Sequence, residues 1–189
     1  EYPVVLQDSD AVNAFADGSK VVVTTGLLRF ARSDNELALV ISHEIAHDAM
    51  KHIAAKRENY MLGSLLDIVA AAYGVNTQGA FGNAAARAHS QGFEAEADYV
   101  GLYIMARSGR DIDNSPRFWR RMAASHPGSI QRSGAASHPA TPERFLAMEK
   151  TIKEIKKKER LGEPLVPEYK DKASPGDKNQ PDNQSDLID

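Results

Sequence analysis

The sequence predicts a single α+β domain that is mostly helical and carries a small β-sheet near its N-terminus. Three short runs of strand-forming residues lie within the first 25 positions, and the helical periodicity follows them. The chain has 189 residues, of which 42% are hydrophobic and 26% are charged. This length and composition suit one globular domain with a hydrophobic core.

The predicted strands lie around one tight turn. Val4 to Leu6 forms a short apolar run, and residues 13–16 and 21–25 flank the turn-forming pair Asp17-Gly18. We therefore expect a short first strand followed by a pair of strands.

Two helices are predicted after the strands. Ser33 followed by Glu36 is a capping box, and the apolar spacing behind it predicts a long helix over 34–58. A second, apolar helix is predicted over 61–74. Residues 74–92 are rich in Gly, Ala and Asn, which indicates a loop or mobile segment.

Three further helices are expected before the C-terminal tail. Helical spacing continues over Phe93 to Ala106, and Ser115-Pro116 and Thr141-Pro142 each place an N-cap residue before a proline. Residues 163–189 hold four of the nine prolines and seven acidic against three basic residues. We expect the domain to span 1–162 and the rest to be a disordered acidic tail.

Composition excludes several classes of function. Lys and Arg number 23 against 26 Asp and Glu, so no basic excess favours binding to nucleic acid. The absence of cysteine excludes disulfides, thiolate nucleophiles and cysteine-ligated metals. The most apolar stretch, 61–75, contains Asp67 and is shorter than the roughly 20 residues needed to span a bilayer.

An HExxH motif, His43-Glu44-Ile45-Ala46-His47, lies on the predicted long helix. At about 100° per residue the two histidines share one face, so both imidazoles can bind one zinc ion. Glu44 lies about 100° from His43, where its carboxylate can take a proton from water without binding the metal.

A third metal ligand is expected elsewhere, because a catalytic zinc usually has three protein ligands and one open position. Glu94 and Asp98 are four residues apart and share a helix face, so one can bind metal while the other orients a ligand imidazole. Glu96 points away from Glu94 and is expected to be solvated. The alternative for this acidic run is an exposed helix face.

Several segments together resemble one family of zinc peptidases, which includes the CAAX prenyl protease, HtpX, BepA and LoiP. They lie in the family's order and cover about residues 1–150. The matching segments are Asn13-Ala-Phe-Ala, Val23-Thr-Thr-Gly-Leu-Leu28, Glu36-Leu-Ala, His43-Glu-Ile-Ala-His47, Glu94-Ala-Glu-Ala-Asp98 and His138-Pro139 with Arg144.

The resemblance implies a gluzincin-type metallopeptidase domain with the HExxH helix at its active site. It implies one zinc ion held by His43, His47 and Glu94, with Glu44 as general base. Asp98 and Arg144 are implied as supporting residues behind the ligands.

The family's HPxxxxR element fits this chain twice, at His138 to Arg144 and at His126 to Arg132. The downstream copy is preferred because a capped amphipathic helix follows it. The resemblance implies that this histidine lies near the active site, where it steadies the oxyanion or caps the zinc in a latent form.

The remaining candidates receive weaker roles. His52 lies about 180° from His43 on the predicted long helix, which favours packing over ligation. Residues 21–25 are either an ordinary core strand or the edge strand on which an extended substrate pairs, and the resemblance favours the edge strand.

The resemblance implies a zinc endopeptidase that cleaves unfolded or misfolded proteins, envelope proteins among them. The lack of spanning helices favours a soluble or lipid-anchored enzyme in a bacterial periplasm or at the outer membrane, with any anchor upstream of Glu1. The alternative is a latent, chaperone-like or assembly factor whose zinc site is capped by His138 or by 74–92. A structural zinc site is disfavoured, because such sites are usually four-coordinate and rich in cysteine.

Overall fold

The computed structural model describes residues 2–88, 90–125, 138 and 141–168. Within these ranges the chain forms three strands and seven helices. The strands are β1 Val4–Gln7, β2 Ala14–Ala16 and β3 Val21–Thr24, and the helices are α1 Thr25–Phe30, α2 Asp34–Ala49, α3 His52–Ala72, α4 Ala80–Ala88, α5 Ser90–Arg107, α6 Ser115–Ser125 and α7 Pro142–Leu161. The prediction of a mostly helical α+β domain with a small sheet is confirmed.

Two of the predictions fall on parts of the chain outside these ranges. The second histidine-proline pair begins at His126, and most of the expected tail lies beyond residue 168. Helix α7 ends at Leu161, and Gly162 caps it in a left-handed conformation. None of the described helices is both long and apolar enough to cross a bilayer.

The three strands are ordered β1-β3-β2, so β3 is the central strand. β1 runs parallel to β3 with Val4 opposite Val21, and β2 runs antiparallel to it with Phe15 opposite Val22. The prediction of residues 21–25 as the edge strand is therefore wrong. Every residue of β3 is buried, which is typical of a continuous β-branched run with a strand on each side.

The prediction of one helix over 34–58 is also wrong, because α2 ends at Ala49 and α3 begins at His52, with Met50 and Lys51 between them. Lys51 adopts a left-handed conformation, with φ 56° and ψ 29°, and α3 starts immediately after it. Non-glycine residues rarely adopt this conformation, and neither Gly nor Pro marks the position. The apolar periodicity continues through the break, so the sequence pattern predicts one helix where there are two.

The predicted loop over 74–92 contains helix α4, which packs against α3. A Cβ added at Gly63 would lie 2.4 Å from the Phe81 carbonyl oxygen, and one added at Gly82 would lie 2.5 Å from Ser64 Oγ. The two backbones approach closely because these positions carry no side chain. The composition that indicated a loop therefore serves a close helix–helix contact.

The core lies where α2 and α5 pack together, with the sheet on one side and α6 and α7 on the other. It is formed by apolar side chains from β2, β3, α1, α2, α5, α6 and α7. Its most completely buried members are Val21, Leu27, Leu102, Tyr103, Met105, Phe118, Met148 and Ile155. This core holds α2 and α5 side by side and so fixes the side chains that face each other between them.

Candidate metal centre

Helix α2 presents the HExxH side chains to the interior. Ser33 Oγ accepts a hydrogen bond from the Glu36 amide at 3.3 Å, which confirms Ser33 as the N-cap and fixes the start of the helix, while the Glu36 carboxylate accepts from the Arg32 amide at 2.7 Å. Ten to fourteen residues after Ser33, His43, Glu44 and His47 are all less than 5% exposed. Buried polar groups need partners, and α5 supplies carboxylate partners to both histidines.

Helix α5 and residue 138 bring further donor atoms to the two histidines. His43 Nε2 lies 3.1 Å from His47 Nε2 and 3.3 Å from Glu94 Oε2, and His47 Nε2 lies 3.3 Å from Glu94 Oε1. His138 Nδ1 lies 2.9 Å from Glu94 Oε2 and 3.3 Å from His43 Nε2. Each of these four residues offers one possible metal-ligand atom, and the four atoms all lie within 4.8 Å of one another.

This cluster fits a zinc ion. Ligand atoms at about 2.0–2.1 Å from a tetrahedral zinc stand about 3.3 Å apart, and the separations in the cluster are close to that value. Glu94 is fully buried, yet its Oε1 accepts no hydrogen bond from the described residues. A cation between the imidazoles and this oxygen would satisfy it.

The protonation of the two histidines differs. Burial lowers the pKa of His47 to about 4, against the opposing hydrogen bond of Glu94, so this imidazole is neutral, as a metal ligand must be. Burial also opposes the charged form of His43, but the carboxylates of Asp98 and Glu94 outweigh it and raise its pKa to about 9. A metal ion at His43 must therefore displace a proton.

Asp98 lies behind His43, and Arg144 contacts both Asp98 and Glu94. Asp98 Oδ1 lies 3.0 Å from His43 Nδ1, on the side of the ring away from the cluster. Arg144 Nη1 lies 3.3 Å from Glu94 Oε2. Burial would raise the pKa of Asp98, but the Arg144 charge and the His43 hydrogen bond outweigh it and lower that pKa.

Glu44 lies between the sheet and His138. Its Oε2 accepts a hydrogen bond from the Ala16 amide of β2 at 3.2 Å, and its Oε1 lies 3.4 Å from His138 Nε2. The carboxylate therefore lies beside the cluster without being one of its four members.

The model of peptidase family M48 matches residues 2–152. The chain belongs to peptidase family M48. This confirms the family resemblance drawn from the motifs.

Three relatives illustrate the similarity of this M48 chain to known proteins. It is 32% identical over 162 residues to the mitochondrial metalloendopeptidase OMA1 of Saccharomyces cerevisiae, which covers 80% of this chain and 47% of that protein. It is 33% identical over 134 residues to the beta-barrel assembly-enhancing protease of Yersinia pestis, and 30% identical over 132 residues to that of Escherichia coli. Each of these two matches covers 62% of this chain and 27% of the relative. The chain therefore spans less than half the length of these relatives.

Two more residues of this M48 chain, His52 and Glu96, lie beside the cluster, although the sequence predicted no role at the metal site for either. His52 does not point away from the motif: its Nδ1 lies 2.9 Å from His47 Nδ1. Glu96, expected to be solvated, is 30% exposed at its side chain and also accepts a hydrogen bond from His52 Nε2 at 3.1 Å. The error at His52 follows from the break at Lys51, which the periodicity does not signal. Burial lowers the pKa of His52, against the opposing charge of Glu96.

Proposed function

We propose that this M48 domain is a zinc-dependent endopeptidase, with the ion held by His43, His47 and Glu94. The observation that carries the proposal is the buried cluster of two imidazoles and one carboxylate at 3.1–3.3 Å, with a second carboxylate, that of Glu44, beside it. Two histidines and a glutamate are the ligand set of several zinc peptidases.

Glu44 is proposed as the general base and later the proton donor. Zinc at such a site lowers the pKa of water to near neutrality and polarises the carbonyl of the peptide bond. The Glu44 carboxylate takes the proton of the attacking water and then gives it to the leaving amine. The Ala16 amide holds the carboxylate in place, so the same group is positioned for both transfers.

Strand β2 is the proposed site at which the substrate main chain pairs. It is an edge of the sheet, it packs against α2, and its Ala16 amide contacts Glu44. An extended peptide that pairs with an edge strand gains main-chain hydrogen bonds that do not depend on its sequence. We therefore propose unfolded polypeptides as the substrate class.

The setting proposed for this activity is the bacterial envelope, in the periplasm or at the outer membrane. The support is the similarity to relatives named for beta-barrel assembly. We propose residues 1–162 as the catalytic domain, with α7 as its last helix.

The test is cleavage of casein by zinc-loaded wild type beside the Glu44→Gln variant, with the zinc content of both measured. We expect cleavage by wild type only, and equal zinc in both proteins, because Glu44 is not a ligand. Glu58→Gln, an exposed glutamate of α3, is the matched control and should cleave like wild type. Cleavage by Glu44→Gln at the wild-type rate would overturn the assigned role.

A latent enzyme with a chaperone-like role is the second candidate, and His138 favours it. Its Nδ1 is the fourth possible ligand atom of the cluster. As a fourth ligand, His138 would occupy the coordination position that the substrate carbonyl needs. His138 is a better cap than 74–92, since residues 80–88 pack against α3. His138→Ala separates the candidates: a cap predicts higher activity towards casein, and an oxyanion role predicts lower activity.

A further inference from the structure

We propose that His52 and Glu96 are positioning residues for His47, which they hold through a chain of hydrogen bonds that ends at the metal-facing nitrogen. The inference rests on the proposed metal site. It concerns two residues that the HExxH motif does not contain. It also gives a function to the unusual backbone between α2 and α3.

The chain of hydrogen bonds runs from α5 to the centre of the cluster. Glu96 Oε2 lies 3.1 Å from His52 Nε2, and His52 Nδ1 lies 2.9 Å from His47 Nδ1. The opposite nitrogen of His47, Nε2, is the one that faces His43 and Glu94. Both nitrogens of both rings are therefore engaged.

The chemistry of these groups determines which atom donates in each of the two hydrogen bonds. A carboxylate only accepts, so His52 Nε2–H donates to Glu96, and a neutral imidazole then has an acceptor left at Nδ1. That acceptor takes the proton of His47 Nδ1–H. His47 is thereby held in the tautomer whose Nε2 lone pair points into the cluster, which is the form that binds a metal.

The backbone break places His52 in this position. In a continuous helix, residues five apart differ by about 140° in direction, so His52 would point away from His47. The left-handed Lys51 redirects the chain, and the His52 ring then stacks on Phe93 with centroids 4.5 Å apart and planes at 20°. A strained residue is expected where the surrounding structure needs the geometry it gives.

The two histidine ligands thus have separate supports from the same helix. Asp98 lies behind His43, and Glu96 lies behind His47 through His52. Glu94, one turn before Asp98 on α5, faces the cluster itself. Alternate acidic residues of α5 therefore serve three different roles at one site.

The test is the zinc affinity of the full chain, measured by competition with a chromogenic chelator. His52→Phe preserves the ring stack on Phe93 but removes both hydrogen bonds, and we expect it to bind zinc about 10–100-fold more weakly. His52→Gln, which can still accept from His47, should recover part of that loss. Glu58→Gln is the control and should bind zinc like wild type.

The Glu96→Ala variant covers the case in which His52→Phe does not fold. The Glu96 side chain is 30% exposed, so its removal leaves no buried cavity, and the loss of the acceptor for His52 Nε2–H should also weaken zinc binding. Urea unfolding of the zinc-free proteins identifies a purely packing role, because such a role would lower stability and leave zinc affinity unchanged. Wild-type affinity in either His52→Phe or Glu96→Ala overturns the inference. Failure of wild type itself to bind zinc would overturn the proposed function instead.

Discussion

The Arg144 guanidinium holds the Asp98 carboxylate at two points, with Nε 2.7 Å from Oδ2 and Nη2 2.8 Å from Oδ1. Both side chains are buried, Arg144 at 6% and Asp98 at 4% exposure. The pair joins the first turn of α7 to the middle of α5. Because Asp98 lies behind His43, the docking of α7 and the orientation of a metal ligand depend on the same ion pair.

Arg144→Met should lower the free energy of unfolding by about 3 kcal/mol, because it removes two hydrogen bonds and a full charge from the buried Asp98 carboxylate, which keeps only His43 as a partner. Urea unfolding of the zinc-free protein measures the change. The double variant Asp98→Asn with Arg144→Met removes both charges and should recover part of the loss. A single variant within about 1 kcal/mol of wild type would show that the pair contributes little.

Glu36→Gln should destabilise the protein by about 1–2 kcal/mol at neutral pH, because the Glu36 carboxylate accepts two hydrogen bonds from Arg121 and one from the Arg32 amide. The Phe30 ring packs beside the same guanidinium, with its centroid 4.8 Å from Arg121 Cζ. Glu149→Gln, in an exposed pair with Arg120, is the matched control and should change stability by less than about 0.5 kcal/mol.

The Glu36 contribution should depend on pH in a defined direction. Its hydrogen bonds with Arg121 are the main cause that lowers its pKa in the folded state. The contribution is therefore full above the unfolded value of about 4.3 and is lost as pH falls through the folded pKa. Unfolding curves at neutral pH and at about pH 3 should show the wild type and Glu36→Gln converging in acid; a constant gap would contradict the assignment.

Gly101→Val should impair both stability and catalysis. A Cβ at Gly101 would lie 3.2 Å from His43 Cα, so a branched side chain must push α5 away from α2. We expect a loss of about 1–3 kcal/mol in thermal unfolding, and a larger proportional loss of casein cleavage, since Glu94 and His43 come from the two separated helices. Gly101→Ala needs only a small shift and gains helix propensity, so it should stay within about 1 kcal/mol of wild type.

Lys51→Gly should leave stability unchanged or raise it by up to about 1 kcal/mol, because glycine adopts the left-handed conformation without steric cost. Lys51→Val should lower it by about 1 kcal/mol or more. Lys150→Gly, an exposed position inside α7, is the control and should destabilise by about 1 kcal/mol. If Lys51→Gly destabilises as much as Lys150→Gly, the strain assigned to Lys51 is absent.

Local signals in the sequence predicted much of the framework. The Ser33 capping box and the Thr141 N-cap start helices where expected, and the HExxH spacing placed His43 and His47 on one buried face. These features depend on residues within one or two helical turns of each other. The position of Glu94 opposite the motif followed from family resemblance and not from local spacing.

The features that the sequence did not predict depend on contacts between distant segments. Lys51 adopts its conformation although its own residue type disfavours it, because the packing of α3 and of His52 against Phe93 compensates. Helix α4 forms from a Gly- and Ala-rich run because Gly82 of α4 and Gly63 of α3 let the two helices approach closely. The central position of β3 is likewise set by which strands pair with it. Single-sequence patterns do not report such partners.

The cluster also joins parts of the chain that are far apart in sequence. His43 and His138 are separated by 95 residues, and Glu94 and His138 by 44. An ion bound to these groups would act as a removable cross-link that closes long loops, and such closure favours the folded chain over the unfolded one. A chelator that removes the proposed ion would then lower the stability of the fold as well as the proposed activity, so the metal-free chain should be cut faster by an added protease.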